Sequence, residues 1–462
     1  MSPTEPSPLR PESVTRPERC TQGRAIRRAV PRAGHAEWTV VSGRPVAVEL
    51  LEAAAASRVP ELVPVRHERM RESAFAFFRG MADLMARDLA QTPSSGLRVQ
   101  ACGDAHVGNF GQFATPERNV VFDINDFDET LPGPWEWDLK RLLTSLELVM
   151  RAKGVPPAQR RHLTSETSRT YRQRLAGYGS LRTLEVWYSQ IDIGQVLAMF
   201  SPPHRRLVRR DIDRARRRTN LAALTKLTQV VDGHRRFLEQ PPLLVRLERT
   251  GHDMDEVLGL VEGYRLSLSE DLRELLDRFR LVDVARKVVG VGSVGTRCWV
   301  GLLEGPHHPA EDPLFLQVKE AGPSVLEQHL GASALGHHGL RVVTGQRLIQ
   351  AASDVLLGWS EGPRSGRAYY VRQLWDVKGS GDPLAMAPTG LLHYSRLCAW
   401  ALARAHARTG DAVAIAGYLG RSDRFDRAAA EFASRYADQS EADYAVFLEA
   451  IRSGRLPVSR PG

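Results

Sequence analysis

The stretch "CGDAHVGNFG" (residues 102–111) places an aspartate, a histidine and an asparagine between glycines, directly after the apolar run "LRVQA". Asp104 and Asn109 are five positions apart, so one short loop carries a carboxylate and an amide. A carboxylate in such a loop can receive the proton of a hydroxyl group, and an amide oxygen nearby can hold a magnesium ion. The spacing therefore predicts Asp104 as a catalytic residue and Asn109 as a metal ligand.

A run of acidic residues follows the next apolar segment. The sequence "VVFDINDFDE" (residues 120–129) contains Asp123, Asp126 and Asp128, and a Pro/Gly corner comes after it. Neighbouring carboxylates repel each other unless a cation compensates them, so this run predicts a metal site. An EF-hand calcium loop is excluded because Pro134 stands where the bidentate glutamate would be needed.

A glycine-rich segment lies far downstream, in "VVGVGSVGTRCWV" (residues 288–300). Its glycines match the pattern G-x-G-x-x-G, which occurs in two unrelated architectures. A dinucleotide-binding fold would need a helix directly afterwards, but "TRCWV" is typical of a strand. Two strands joined by a glycine turn can cover nucleotide phosphates, and the alternative is an ordinary glycine-rich hairpin. The residues predicted to bind the phosphates are Gly290, Gly292, Ser293 and Gly295.

A lysine on the strand that follows completes this pattern. The run "FLQVKEA" places Lys319 where its side chain can reach the α- and β-phosphates of ATP. Such a lysine needs a carboxylate partner, and we expect this partner to be Glu327 in "SVLEQHL", with Glu320 in reserve. A structural alternative is a lysine that extends from the strand to solvent.

The loop "GDAHVGN" resembles the HGDxHxxN loop of aminoglycoside phosphotransferases and related small-molecule kinases, with Cys102 in place of the first histidine. The resemblance implies an α+β, protein-kinase-like fold of two lobes and a metal-binding aspartate after the next strand. Counting back from Asp138 in "WEWDLKRL" favours Asp126, whereas counting forward from Asn109 favours Asp123. The glycine loop precedes the Asp/Asn loop in kinases and follows it here, so the resemblance also implies a circular permutation.

Residues 65–452 also resemble the bacterial proteins grouped as domain of unknown function 2252. The phrases that carry this resemblance are "SAFAFFRG", "CGDAHVGNFG", "FDINDFDETLPGPWEWDLKRL", "LFLQVKEA" and "YYVRQLWDVKGS". The resemblance implies a shared fold but no substrate.

The order of helical and β-rich segments predicts the domain organisation. We expect a disordered Pro/Arg-rich tail over residues 1–40 and a helical lobe with the catalytic and metal loops over residues 65–280. A small antiparallel β lobe for nucleotide binding is expected over residues 281–378. The helices of residues 385–455 would complete the helical lobe.

Composition limits the classes of partner. The chain has 462 residues and a net charge of +9, and it lacks an apolar run of the ~20 residues that span a bilayer. No apolar signal segment is present, so a cytoplasmic protein without a membrane partner is expected. Asp211 and Asp213 interrupt the arginines of residues 204–218, which is typical of a solvated helix and makes nucleic acid a disfavoured partner. The oligomeric state stays open.

The motifs together predict a phosphotransferase that uses ATP and Mg²⁺ to phosphorylate a hydroxyl group of a small molecule or a protein. One alternative is a nucleotide-binding pseudokinase that acts as a scaffold or sensor. A second is a metallophosphoesterase, because "GDAH" resembles the opening motif of such enzymes and "LGHHGL" (residues 335–340) supplies further histidines. The first two readings require Gly292, Lys319, Asp104, Asn109 and Asp126 to meet in one cleft.

Overall fold

A computed structural model describes residues 14–459, apart from residues 201, 218, 251–253, 289, 291, 293, 308–311, 375, 376 and 378. Within this part of the chain the helices are α1 (Arg16–Ile26), α2 (Ala47–Ala55), α3 (Val63–Arg71), α4 (Ala74–Arg79), α5 (Ala82–Leu89), α6 (Trp135–Ala152), α7 (Pro157–Tyr178), α8 (Thr183–Tyr188), α9 (Ile193–Ala198), α10 (Pro202–Arg216), α11 (Asn220–Leu227), α12 (Met254–Leu266), α13 (Glu270–Leu276), α14 (Glu327–Leu330), α15 (His338–Ile349), α16 (Pro388–Thr409), α17 (Ala412–Leu419) and α18 (Arg424–Arg452).

The strands are shorter and all pair antiparallel. They are β1 (Arg98–Ala101), β2 (Phe110–Ala114), β3 (Val120–Ile124), β4 (Leu131–Pro134), β5 (Thr228–Val231), β6 (His234–Phe237), β7 (Leu244–Arg246), β8 (Arg280–Lys287), β9 (Cys298–Glu304), β10 (Pro313–Glu320), β11 (Gly358–Glu361), β12 (Ala368–Gln373) and β13 (Gly379–Ser380). The predicted mixture of helices with small antiparallel sheets is confirmed.

The larger hydrophobic core lies among α6, α7, α16 and α18. Helix α6 is buried along almost its whole length because other elements pack around it. Its first residue, Trp135, stacks on Tyr171 of α7 with ring centroids 5.7 Å apart. The core fixes the N-terminal end of α6, which lies directly after the acidic run.

Two strand pairs bring the two sequence-predicted loops together. Strand β1 pairs with β4, and β2 pairs with β3. The loop after β1 carries Asp104, and the loop after β3 carries Asp126. Each of these loops connects the β1–β4 pair to the β2–β3 pair, so the two loops lie beside each other between the pairs.

The six-stranded sheet has the order β11-β12-β10-β9-β8-β7. Strands β8, β9 and β10 form a meander, α15 follows, and β11 and β12 then return beside β10. Lys319 on β10 lies opposite Tyr370 on β12 and Cys298 on β9. Strand β7 extends this sheet before residue 281, where the sequence placed the start of the β-rich lobe.

The predicted disordered tail over residues 1–40 is wrong for the residues that the structure describes there. Helix α1 packs on α17, and a Cβ atom at Gly23 would lie 2.0 Å from the backbone oxygen of Ala414. Arg27 donates a hydrogen bond to the carbonyl oxygen of Tyr418 at 2.7 Å. The arginine-rich composition indicated disorder, but here a glycine allows close packing and an arginine binds backbone carbonyl groups. Residues 1–13 lie outside the described part of the chain.

None of the helices in the described segments combines the length and the hydropathy that crossing a bilayer would require.

Candidate functional site

Lys319 lies between the six-stranded sheet and the acidic run. Its Nζ atom is 2.7 Å from Oδ2 of Asp128 and 3.5 Å from Oδ1 of Asp126, and the residue is only 2% exposed. The hydroxyl group of Tyr370 donates to the other oxygen of Asp128 at 2.7 Å. Burial lowers the pKa of Lys319, but Asp126 and Asp128 more than compensate, so that the pKa is well above its ordinary value. Lys319 therefore stays charged beside the acidic loop.

The carboxylate that holds Lys319 is not the one that we expected. Glu327 lies on α14, where it accepts a hydrogen bond from the backbone N–H of Ser324 and pairs with Arg341 of α15 at 3.5 Å. Glu320 pairs with Arg297. Neighbouring side chains on a strand point to opposite faces, so Glu320 cannot share the face of Lys319. The expected pairing of Lys319 with Glu327 or Glu320 is thus wrong, and Asp128 takes that place.

The Asp/Asn loop is tied directly to the acidic loop by a side-chain amide. Nδ2 of Asn109 donates to the backbone oxygens of Asp104 and Asp126, at 3.1 Å in each case. The amide oxygen of Asn109 accepts no hydrogen bond from the described residues and is therefore available to a cation. The carboxylate of Asp104 forms an ion pair with Arg141 through one oxygen, and its side chain is 22% exposed.

A series of buried hydrogen bonds holds the start of the Asp/Asn loop. The carboxylate of Asp138 accepts hydrogen bonds from the backbone N–H groups of Cys102 at 2.7 Å and Gly103 at 2.9 Å. His406 of α16 is hydrogen-bonded to Asp138 at 3.1 Å and to the hydroxyl group of Tyr171 at 2.8 Å. Asp138 served only as a reference for counting along the sequence and had no predicted role. Its place in "WDL", after the Pro/Gly corner, was the available signal.

The loop also depends on a glycine. Gly103 has a φ of +83°, which favours glycine, and a Cβ atom there would lie 2.3 Å from the backbone oxygen of Glu129. The two loops can therefore approach each other closely only without a side chain at this position.

The two aspartates proposed as metal ligands have different surroundings. Asp123 is 2% exposed, and its two oxygens lie 2.7 and 2.6 Å from Nη2 of Arg404, which is itself fully buried. It also accepts a hydrogen bond from the backbone of Ala351 at 3.1 Å. The side chain of Asp126 is 43% exposed and faces Lys319. Asp123 is thus engaged in a buried ion pair with Arg404, and Asp126 remains the candidate metal ligand.

No three His, Cys, Asp or Glu side chains converge on a metal-sized site in the described ranges. A two-metal phosphoesterase would need several such ligands. His337 instead caps α15 by accepting a hydrogen bond from the backbone N–H of Leu340 at 3.1 Å, and His338 is 3.8 Å from Glu327. A magnesium ion that shares nucleotide phosphates needs only one or two protein ligands, which Asn109 and Asp126 can provide.

The glycine loop, residues 290–295, is held by the segment before α3. Arg58 donates hydrogen bonds to the backbone oxygens of Gly292 and Val294, and the backbone N–H of Val59 donates to the oxygen of Gly295 at 2.8 Å. Gly295 has a φ of +94°. Arg58 was missed in the sequence because it lies more than two hundred residues earlier.

The remaining two positions predicted in this loop differ in what can be said of them. A Cβ atom at Gly290 would meet no heavy atom within 4 Å, so the backbone there is open to a ligand. Ser293 was predicted to bind phosphate and lies outside the described residues.

Two further titratable groups flank the loops. Burial raises the pKa of Glu129 to about 7, although this carboxylate accepts a hydrogen bond from the backbone of Val325 at 2.7 Å. Burial also lowers the pKa of His106 well below its usual range, so that the imidazole is neutral at pH 7. No pattern in the acidic run distinguished Glu129 from its neighbours.

An apolar cavity of about 320 Å³ lies on the opposite face of the sheet, between it and α12 and α13. Its lining includes Val318 and Val371, which point away from Lys319 and Tyr370. Its charged lining residues, Arg265 and Asp277, bind each other at 2.6 Å. The sequence-predicted site residues Lys319, Asp104 and Asp126 lie on the other face, where the loops meet.

Comparisons with curated proteins and with solved structures find no match. A family model described as an uncharacterized protein conserved in bacteria (DUF2252) matches residues 58–450, which is most of the chain. The matched region includes both loops, the glycine segment and Lys319. The chain therefore belongs to this bacterial family.

Proposed function

We propose that the chain is a phosphotransferase that uses ATP and Mg²⁺ to phosphorylate a hydroxyl group of a small molecule or a protein. The proposal rests on two contacts: Lys319 contacts the acidic loop, and the acidic loop contacts the Asp/Asn loop. Lys319 contacts Asp126, and Asn109 connects the backbones of Asp126 and Asp104. A phosphate-binding cation, two candidate metal ligands and a candidate base therefore belong to one cluster.

The order of elements in the six-stranded sheet supports a protein-kinase-like fold. A strand, a glycine loop, a second strand, a third strand with a lysine and then a helix is the order of the kinase nucleotide lobe. Strands β8, β9 and β10 follow this order, and the short α14 and then α15 come after β10. One departure is that α15 contributes Arg341, which binds the backbone oxygen of Asp128 at 2.8 Å, where kinases use a glutamate. The acidic loop itself supplies the carboxylate for Lys319.

The residues also fit the cofactors. The amide oxygen of Asn109 and the exposed carboxylate of Asp126 would hold a magnesium ion, which neutralises charge on the phosphates when bound. Lys319 would bind the α- and β-phosphates, and the open backbone of the glycine loop would cover them. Gly290, Gly292, Ser293 and Gly295 remain the proposed phosphate contacts in that loop.

In the transfer step, the bond between the γ-phosphorus and the bridging oxygen of ATP breaks, and a bond forms to the acceptor oxygen. ADP leaves, and the proton of the acceptor hydroxyl passes to Asp104. The transition state is loose, so most of the catalysis comes from positioning and charge. Arg141 fixes one oxygen of Asp104 and leaves the other to orient the hydroxyl group.

The ion pair between Arg141 and Asp104 also favours a second candidate. An Asp104 carboxylate that is already engaged by a buried arginine has fewer lone pairs to offer to an acceptor hydroxyl group. A nucleotide-binding pseudokinase that acts as a scaffold or sensor would keep the ATP site without turnover. ATP hydrolysis that is lost in Asp104→Asn would identify the enzyme, and nucleotide binding without any turnover would identify the pseudokinase.

Calorimetric titration of the full chain with ATP, with and without Mg²⁺, tests the proposal. We expect binding that needs Mg²⁺ and is weakened at least ~10-fold in Lys319→Met, because a charge-assisted contact with phosphate is lost. Lys153→Met is the matched control, because Lys153 is partly exposed and binds only the backbone oxygen of Leu384 among the described residues. Absence of binding by the parent protein up to millimolar ATP would reject the proposal.

A further inference from the structure

Arg79 ends α4 at the point where the glycine loop meets the helical part of the molecule. Its backbone oxygen lies 3.9 Å from the position that a Cβ atom on Gly292 would occupy. Its guanidinium carbon lies 5.8 Å from the centre of the Phe75 ring. The same ring is 6.2 Å from the ring of His106 in the Asp/Asn loop. Arg79 therefore lies between the glycine loop and the Asp/Asn loop.

The guanidinium group of Arg79 is buried in part and, apart from its contact with the Phe75 ring, has no partner among the described residues. Its Nε–H group is inaccessible to solvent and donates no hydrogen bond to a described residue, and Arg79 forms no ion pair with a carboxylate of the described residues. Burial lowers its pKa, and the charges that oppose this shift most are those of Asp104 and Asp126. An unpaired buried cation costs free energy, so an anion that binds there would be stabilised.

The neighbouring arginines differ because their donors are already engaged. Arg141 binds Asp104 and the backbone oxygen of Phe78, and Arg58 binds the backbone of the glycine loop. Arg66 donates to the backbone oxygen of Gly80 at 2.7 Å. In this group of four, Arg79 is the one whose guanidinium has no hydrogen bond to the described residues.

We infer that Arg79 binds the terminal phosphate of the nucleotide, as a specificity-determining residue that distinguishes ATP from ADP. This inference rests on the proposed function. The guanidinium group can donate two parallel hydrogen bonds to phosphate oxygens. Asp104 and Asp126 are the carboxylates whose charges act most on Arg79, so its guanidinium group would meet the transferred phosphoryl group, whereas Lys319 would bind the inner phosphates. The charge on Arg79 would also offset repulsion between these carboxylates and the phosphate.

An anionic group on the acceptor could use the same chemistry, so the test compares nucleotides without an acceptor. The affinities of Mg²⁺ with a non-hydrolysable ATP analogue and of Mg²⁺ with ADP are measured by calorimetry for the parent protein, Arg79→Gln and Arg79→Lys. Arg71→Gln is the control, because Arg71 is an exposed arginine of the adjacent helix that pairs with Glu68.

We expect Arg79→Gln to weaken the ATP analogue about 10- to 100-fold and to change ADP affinity less than about threefold. Arg79→Lys should retain part of the difference between the two nucleotides, and Arg71→Gln all of it. The melting temperature of Arg79→Gln should equal or exceed that of the parent, because an unpaired buried charge is removed.

Equal losses for both nucleotides, or no loss for either, would overturn the inference while the proposed function stands. Loss of folding in both Arg79 variants would assign Arg79 a structural role and would likewise overturn it. A parent protein that binds neither nucleotide would reject the proposed function, and the inference with it.

Discussion

Replacing Asp123 should lower the free energy of unfolding, whereas replacing Asp126 should weaken metal-dependent nucleotide binding, although the two residues are only three positions apart. Asp123→Asn leaves Arg404, which is fully buried, without its carboxylate. Removing one partner of a buried ion pair costs about 3–5 kcal/mol. An asparagine can still accept one hydrogen bond from Arg404, so we expect a loss of about 3 kcal/mol in the free energy of unfolding.

Asp126→Asn should have a much smaller effect on stability. The side chain is 43% exposed, its contact with Lys319 is 3.5 Å long, and Asp128 holds the same Nζ atom at 2.7 Å. Pairs that are exposed to this degree contribute about 0–1 kcal/mol because solvent screens them. The same substitution should reduce metal-dependent nucleotide binding at least ~10-fold, since a carboxylate ligand of the metal is lost.

Urea unfolding followed by circular dichroism and calorimetric titration with Mg²⁺ and ATP provide the two readouts for both variants. Equal destabilisation by Asp126→Asn and Asp123→Asn would contradict the different roles of the two residues. A variant Asp123→Asn that keeps the stability of the parent and loses binding would also contradict them, because Asp123 would then be the metal ligand.

Three further substitutions test other parts of the structure. Asp104→Asn should keep the affinity for Mg²⁺ and ATP within a few-fold while ATP turnover falls by about 10² or more; equal turnover in variant and parent would remove the catalytic assignment. Gly103→Ala should lower the free energy of unfolding, measured with urea, by more than the ~1 kcal/mol typical of a positive φ alone, because the new Cβ atom meets a backbone oxygen at 2.3 Å. Gly154→Ala, with a φ of +67° and open surroundings, is the matched control, and equal losses would contradict the close approach. In the folded parent, Glu129 keeps its proton up to a pKa of about 7, whereas in the unfolded chain it loses the proton near pH 4.5. The contribution of Glu129 to the free energy of unfolding therefore falls as the pH rises between these values, by at most about 3 kcal/mol. Glu129→Gln should remove this part of the fall when unfolding is measured from pH 4.5 to 8, and an unchanged pH slope would show that Glu129 is not the group responsible.

The sequence was informative where function depends on local spacing. The interval between Asp104 and Asn109 indicated one loop, and the amide of Asn109 does bind the backbone of Asp104. The glycine pattern and its strand context indicated a meander, which β8, β9 and β10 form. Both inferences needed only neighbouring residues, because turn geometry and strand alternation are set locally.

Contacts between distant segments were not accessible in the same way. The partner of Lys319 was sought nearby in the sequence, whereas Asp128 is almost two hundred residues earlier and is brought close by β3 and β4. Strand alternation alone could have excluded Glu320, because it must face away from Lys319. Which carboxylate pairs with which buried arginine, as Asp123 does with Arg404, depends on how helices pack on strands. A single sequence does not reveal this packing.

The three-residue strand β7 and the helix α1 illustrate a second limit. Residues 244–246 are too short to show a strand period, and their pairing with β8 is what makes them part of the sheet. The composition of residues 14–40 resembled a disordered segment, yet the buried glycine of α1 fits against α17. Tertiary contacts outweighed local propensity in both cases.

The most direct test of the central claim is a crystal structure of the full chain with Mg²⁺ and a non-hydrolysable ATP analogue. We expect phosphate density between the glycine loop and Lys319, with the metal ion on Asn109 and Asp126 and the terminal phosphate beside Arg79. A nucleotide bound away from these residues, in crystals where the cleft is accessible, would contradict it.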